Sequence, residues 1–302
     1  MSVVICCYNQ SEFLSNAINS VLRQSYTAVE LIVIDDGSID DTEAVAARFH
    51  NVRYLRQGNV GLSRARNAGL LASGGSFISF LDADDRLLPN AVAIGLRKLQ
   101  DSKDCAFAAG GFRYIDERGR SLYPTTAAST IGGAYSDLLR FNIIQMHGAV
   151  LYRREILQAF GGFNERLAAS EDYDLYLRLA RHHPFVQYND IIAEYRRHRS
   201  NMTGDYGRML VATISALEAQ RPSIVGNLSL EAALDAGLTH YRSAYGRALL
   251  RKAIERVKHP REWGIALREI ASVLKLAPVA VGSAIRLILA GIRRRVLRQR
   301  RE

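Results

Sequence analysis

The sequence is short of several things. It has three cysteines, Cys6, Cys7 and Cys105, two of them neighbours. Adjacent cysteines rarely bridge, and an odd count fits a reduced cytosolic chain better than a disulfide scaffold. No Cys/His spacing suits a zinc site. The start, Met1-Ser2 running into Val3–Cys7, lacks a basic segment and a long apolar core, so no secretory leader is expected. No apolar run would cross a bilayer. The longest, 277–292, is interrupted by Arg286 and is too short. Internal repeats and low-complexity segments are absent. So is a glycine-rich phosphate loop after the first strand, where Cys7-Tyr8-Asn9-Gln10-Ser11-Glu12 has no glycine and no basic residue.

Charge is present but unevenly spread. Residues 241–302 hold 16 Lys/Arg and 4 Asp/Glu, a balance of +12. Residues 1–240 hold 24 and 26, a balance of −2. A near-neutral body argues against nucleic acid as a partner and leaves the basic tail with a task of its own.

The first hundred residues alternate between two periodicities. Ser2–Tyr8, Glu30–Asp35, Val52–Leu55 and Ser76–Leu81 are apolar strands. Ser11–Gln24, Asp40–Phe49, Ser63–Ala72 and Pro89–Gln100 have helical spacing. Strands apolar on both faces, alternating with helices, predict a parallel sheet covered on both sides. In such sheets ligands bind beyond the carboxyl ends of the strands, where Asn9, Asp35-Asp36 and Asp82-Asp84 fall. Later the pattern changes. Cys105–Ile115 reads as a strand, Asp116–Gly119 as a hairpin turn, Gly148–Tyr152 and Ile191–Arg196 as strands, and Arg154–Phe160 and Tyr173–Arg181 as helices. Beyond about residue 205 only helical patterns remain.

Four stretches carry chemistry, each with a plainer reading beside it. Asp82-Ala83-Asp84, with Asp85 next, offers hard oxygen ligands for Mg²⁺ or Mn²⁺. With 16 aspartates in the chain, about one such Asp-X-Asp arises by chance, and a turn with a cap for the helix at Pro89 explains it equally. Asp35-Asp36-Gly37-Ser38 is a turn that can also face a ribose or a base. Arg64 and Arg66, near a helix start, suit diphosphate or base recognition, or form a solvated face. Glu171-Asp172 opens a helix, where acids meet the dipole favourably, and can present a general base.

Taken in order, these stretches resemble the family 2 glycosyltransferases. The residues carrying the resemblance are Val3–Asn9, Asp35–Ser38, Asn59…Gly61…Ala65-Arg66-Asn67…Gly69, Phe80–Asp85, Gly161-Gly162-Phe163, Glu171-Asp172 and Tyr195-Arg196-Arg197-His198. One departure is Cys6-Cys7, where the family usually has Pro and a small residue. It removes a rigid φ and no chemistry.

The resemblance implies a GT-A fold: Rossmann-like α/β, a mostly parallel sheet flanked by helices, here with a C-terminal helical extension. It would occupy residues 1–204, a nucleotide-binding half (1–100) and an acceptor and catalytic half (101–204), with 205–302 as the basic extension. It also implies roles. Tyr8, Asn9 and Asp36 would hold base and ribose, with Arg66 near the base and Asp82 on the ribose side. Asp84 would bind Mg²⁺ or Mn²⁺, with His198 close to the metal or diphosphate. Asp172 would be the base, Glu171 beside it would be among the nucleotide-sugar contacts, and His147 would floor the transferred sugar unless it is a core histidine.

The implied activity is inverting, metal-dependent hexosyl transfer from a nucleoside diphosphate sugar to a hydroxyl acceptor, in cell-surface polysaccharide or glycolipid assembly. UDP is the commonest donor nucleotide in the family. GDP and dTDP are compatible with the same residues. A glycoside hydrolase would need two carboxyls flanking the bond and has no special claim on these acids. A sugar nucleotidyltransferase would need the missing phosphate loop. A non-catalytic nucleotide-sugar binder is opposed by the intact Asp84 and Asp172.

In the tail, Val281, Ile285, Ile288, Leu289, Ile292 and Val296 form one helical stripe among arginines. That pattern suits either a helix on an anionic membrane surface or one packed on the body. The expected location is cytoplasmic, with a peripheral place at the inner membrane face on the first of these readings, where the acceptor would be lipid-linked.

Overall fold

The computed structural model describes residues 1–125, 134–198, 201–257 and 259–278. Four strands, β1 (Ser2–Cys7), β2 (Glu30–Asp35), β3 (Val52–Arg56) and β4 (Phe77–Asp82), pair in parallel in the order β3-β2-β1-β4. Every residue of β1 is buried, as are the last five of β2. Their unbroken apolar runs reflect a sheet covered on both faces. The crossovers are α1 (Ser11–Leu22), α2 (Thr42–Ala46) and α3 (Leu62–Ala72). α3 lies so close to β1 that a Cβ on Gly69 would stand 2.3 Å from Val4 Cγ1. Glycine is the only residue that fits this approach.

The sheet then changes character. β5 (Arg86–Leu87) and α4 (Ala91–Asp101) lead to β6 (Phe107–Ile115), which turns through Asp116–Gly119 into β7 (Ser121–Thr125). After α5 (Ala134–Arg140) come β8 (Val150–Arg153), α6 (Arg154–Ala159), α7 (Glu171–Ala180) and β9 (Val186–Arg196). The full order is β3-β2-β1-β4-β8-β6-β9-β5, with β7 on β6. β8 runs antiparallel to both β4 and β6, β9 runs parallel to β6, and β5 pairs antiparallel with β9. The parallel sheet expected from the sequence is therefore continuous only in the first half.

Other expectations shift at their edges. The helix expected over 40–49 keeps one turn and a half, Thr42–Ala46. The helix expected from Pro89 starts at Ala91, because the Pro89 carbonyl accepts from Ser25 N at 2.8 Å. β5 and α5 carry too few patterned residues to show in the sequence. The stripe over 281–296 lies outside the described residues.

The chain divides into two compact units. One joins Met1–Leu138 to Asn142–Asn201 and contains the whole sheet. The other joins Leu139–Phe141 to the chain from Met202 on, with α8 (Tyr206–Glu218), α9 (Leu228–Val257) and α10 (Trp263–Leu276) around a small core of Leu210, Leu249, Val273 and Ala277. Among the described residues, no helix is long and apolar enough to cross a membrane.

Candidate active site

The carboxyl ends of β1, β2 and β4 supply the first residues of the site. Tyr8 stands 47 % exposed just past β1. Asn9 follows in the left-handed region at φ 51°, a conformation that asparagine tolerates better than most residues. Its N–H donates to Ser38 Oγ and its Oδ1 accepts from Ile39 N, both at 2.9 Å, which ties the end of β1 to the turn after β2.

That turn is held by its own acids. Asp35 Oδ1 accepts from Ser38 N (2.8 Å) and Oδ2 from Tyr54 Oη (2.5 Å). Asp36 is 5 % exposed. Its Oδ1 accepts from Gln57 Nε2 (2.8 Å) and Val60 N (3.0 Å), and its Oδ2 from Gly61 N (2.8 Å). A carboxylate has about four acceptor sites, so roughly one remains for a ribose or base.

The acids after β4 are placed differently. Asp82, Asp84 and Asp85 bring one carboxylate oxygen each to within 4.8 Å of one another. Asp85 is buried and its proton is held well above the usual carboxylate range, first by burial and then by the charges of Asp84 and Asp82. Asp82 is raised as well, by desolvation and by Asp84, against the pull of Arg66. Three hard oxygen donors whose mutual repulsion is only partly relieved fit a divalent cation.

Asp84 Oδ2 also meets His198 Nε2 at 2.8 Å and Asn201 Nδ2 at 3.3 Å. His198 thus reaches the cluster through Asp84. Asp85 does not cap α4, whose N-cap position is Asn90. Its Oδ1 accepts from Arg196 N at 2.8 Å.

Arg196 went without a role in the sequence, although it lies in the Tyr195–His198 run. Its guanidinium is buried at the end of β9. Nε donates to the Asp84 carbonyl (2.7 Å), and Nη1 to the carbonyls of Glu117 (2.9 Å) and Asp116 (3.2 Å). It lies 4.9 Å from the centre of the Phe13 ring. One side chain therefore fixes the acidic turn against the β6–β7 hairpin. The signal available in sequence was a cation at a buried strand position, which is costly without partners.

Arg66 lies inside the protein. It is 2 % exposed. Nη2 donates to Asp82 Oδ1 at 2.7 Å and Nη1 to Glu171 Oε1 at 2.5 Å. Burial alone would lower its pKa, but Asp82 and Glu171 raise it, so the guanidinium stays charged. Glu171, expected among the donor contacts, is buried and engaged by Arg66.

The next residue, Asp172, is part-exposed in the first turn of α7, entered through Ser170 at φ 54°. Its Oδ1 accepts from Tyr173 N at 2.7 Å. Burial first, and then the Glu171 charge, push its pKa up to about 7, with Arg66 pulling the other way. A carboxyl that titrates near neutrality is suited to proton abstraction.

His147 is a core histidine. It is buried against Phe80, Tyr152, Phe163 and Tyr176, with Nδ1 3.0 Å from Tyr176 Oη. Burial, then the Arg66 charge, hold it well below the usual imidazole range, so it is neutral at pH 7. Its Nε2 has no hydrogen-bond partner among the described residues.

The chain is similar to known proteins in sequence and in fold. Residues 2–161 match the family model described as glycosyl transferase family 2. An uncharacterised glycosyltransferase of Rickettsia prowazekii is 31 % identical over 209 residues, 67 % of this chain and 65 % of that protein. Escherichia coli chondroitin synthase is 29 % identical over 205 residues, 67 % of this chain and 29 % of that enzyme. The chain thus spans just under two thirds of one relative and under a third of the other.

Among solved structures, S. aureus TarS 1–349 in complex with UDP aligns with a TM-score of 0.63 at 16 % identity, over 94 % of this chain and 91 % of that one. The Pyrobaculum calidifontis mannosyltransferase PcManGT, in complex with GDP-Man and Mn²⁺, aligns at 0.61 and 19 % identity, over 91 % and 86 %. These likenesses show the GT-A fold with a helical C-terminal region. By its match over more than half its length, the chain belongs to glycosyl transferase family 2.

Proposed function

We propose that this glycosyltransferase transfers a sugar, with inversion, from a nucleoside diphosphate sugar to a hydroxyl acceptor, with Asp172 as the base. The observation that carries the reading is Asp172 itself. It is a part-exposed carboxyl with a pKa near 7, joined through Glu171 and Arg66 to the acidic turn after β4. Ionised Asp172 takes the proton from the acceptor hydroxyl as that oxygen attacks the anomeric carbon, and the bond to the diphosphate breaks on the opposite face.

Tyr8, Asn9 and the free acceptor capacity of Asp36 hold the base and ribose, with Asp82 at the ribose side. Asp82, Asp84 and Asp85 are the residues that would hold Mg²⁺ or Mn²⁺, with His198 steadying Asp84. Such an ion would neutralise charge on the leaving diphosphate. His147 acts from beneath, as part of the aromatic floor.

TarS is known with UDP and PcManGT with GDP-Man and Mn²⁺, which supports the donor class and the metal. A UDP-sugar is the preferred donor. Residues 1–204 form the transferase domain and 205–302 a separate extension. The resemblance to chondroitin synthase supports a saccharide acceptor in polysaccharide assembly. A glycolipid acceptor and a place at the cytoplasmic face of a membrane belong to the same proposal.

The test is nucleotide release in the presence of acceptor by Asp172→Asn. Turnover is expected to fall about 10²–10⁴-fold, with donor binding, followed by thermal shift, retained. Unchanged turnover would refute Asp172 as base.

A further inference from the structure

α10 is built the wrong way round for a helix that only packs on its neighbours. Its inward residues are Ala266 and Val273, followed by Ala277 just past its end, all fully buried. Leu276 also packs on the small core of this unit, but three of the large apolar residues of α10 face out: Trp263, Leu267 and Leu274 are 54 %, 66 % and 58 % exposed. At about 100° per residue these three fall within an arc of about 40°. Arg268 and Lys275, both exposed, follow about 100–120° further round. Trp263 Nε1 is spent on the Val257 carbonyl at 2.8 Å, which leaves the apolar body of the ring outward. Val257 is itself half exposed beside it. A core-packing helix would show the reverse order, large residues in and small ones out.

Charge selects what covers this stripe. Residues 202–302 hold 18 Lys/Arg and 8 Asp/Glu, whereas residues 1–201 hold 22 of each. The whole net charge of +10 therefore belongs to the chain from Met202 on. A second copy of the unit would bring its own Arg268 and Lys275 against this pair. The chain's own residues 279–302, with seven Lys/Arg and one acid, would also meet like charge. An anionic polymer would match the charge but leave the leucines in water. A surface that combines negative headgroups with an apolar layer beneath them satisfies both.

We propose that this face of α10 docks on an anionic lipid bilayer, with Trp263, Leu267 and Leu274 at the boundary between headgroups and acyl chains, and Arg268 and Lys275 among the headgroups. The surface lies in the helical unit and is independent of the catalytic assignment.

The chain has a single tryptophan, and it lies in the stripe, so its emission reports on this surface directly. The whole protein, mixed with phosphatidylcholine vesicles containing phosphatidylglycerol, should show a blue shift of Trp263 and quenching by lipids brominated on their acyl chains. Pure phosphatidylcholine and high salt should weaken both. Leu267→Glu combined with Leu274→Glu should lower vesicle partitioning more than about tenfold, with nucleotide-sugar binding unchanged.

Four outcomes overturn the proposal. One is no vesicle binding. Another is co-sedimentation with vesicles while Trp263 stays unshifted, which would assign binding to the basic C-terminal residues alone. A third is a blue shift that grows with protein concentration without lipid, which would make a second copy the partner. The last is an emission already blue in dilute protein without lipid, which would mean that the chain covers the stripe itself. None of these readings requires the variant to fold.

Discussion

Two acidic turns flank β1, one after β2 and one after β4, and they solve the same electrostatic problem in opposite ways. In the first, Asp35 and Asp36 are hydrogen-bonded by donors: Ser38 N, Tyr54 Oη, Gln57 Nε2, Val60 N and Gly61 N. In the second, Asp82, Asp84 and Asp85 face each other, and burial leaves Asp85 with a strongly raised proton affinity. Carboxylates whose acceptor sites are mostly filled by donors of the chain hold a fold together. Carboxylates left in mutual repulsion store a preference for a cation. Substitutions in the first turn should therefore reduce stability, and in the second they should reduce turnover.

The largest stability effect tests Arg66, the counter-charge paired with Asp82 of the second turn. Arg66→Met should leave Glu171 buried and unpaired and Asp82 without its partner, a loss of about 3–5 kcal/mol in urea unfolding. A loss as small as that of an exposed ion pair would dissolve the contrast.

Asp36→Asn comes next. An amide has one acceptor oxygen where three donors now converge, so one or two N–H groups lose their partner, at about 1–3 kcal/mol in the same assay. Asp85→Asn should do the opposite. It keeps an acceptor for Arg196 N while removing a repelled charge, so the melting temperature of metal-free protein should hold or rise while turnover falls. A drop in melting temperature equal to that of Asp36→Asn would show that the two turns are alike.

The smallest effect is a pH dependence. The folded-state pKa of Asp172 is raised from 3.8 to about 7. Between these values the folded state binds the proton more tightly than the unfolded chain, so the contribution of Asp172 to stability declines as pH rises through this window. Activity runs the other way, because the base must be ionised, so kcat/KM should climb to a plateau above about pH 7. Asp172→Asn should abolish both trends. A rate profile already flat from pH 5 would remove Asp172 from the role.

In sequence the two turns look alike: an apolar strand, then Asp-Asp-Gly-Ser or Asp-Ala-Asp-Asp. The strands, their order of appearance and the acids at their ends were legible because they depend on periodicity and neighbours. What separates the turns was not legible, because it depends on partners far along the chain. Gly61 lies 25 residues from Asp36, Glu171 lies 105 from Arg66, and Arg196 lies 112 from Asp84. Two-residue β5 and the antiparallel placement of β8 were hidden for the same reason, since pairing direction leaves no mark on a four-residue apolar run. His147 shows the limit from the other side. A histidine beside a strand can be a ligand or a core residue, and only the four aromatic rings around it decide.

Arg66 works as a cross-brace in a truss. α3 carries the guanidinium, β4 one carboxylate and α7 the other, and the two contacts of 2.7 and 2.5 Å triangulate three separate members. The rigid guanidinium plane is the third side of the triangle, which cannot shear without breaking one of the two contacts. The segment carrying Asp172 and the segment carrying Asp82 are thereby kept at one spacing through thermal agitation. Whatever rearranges as substrates enter and leave has to hinge outside that triangle.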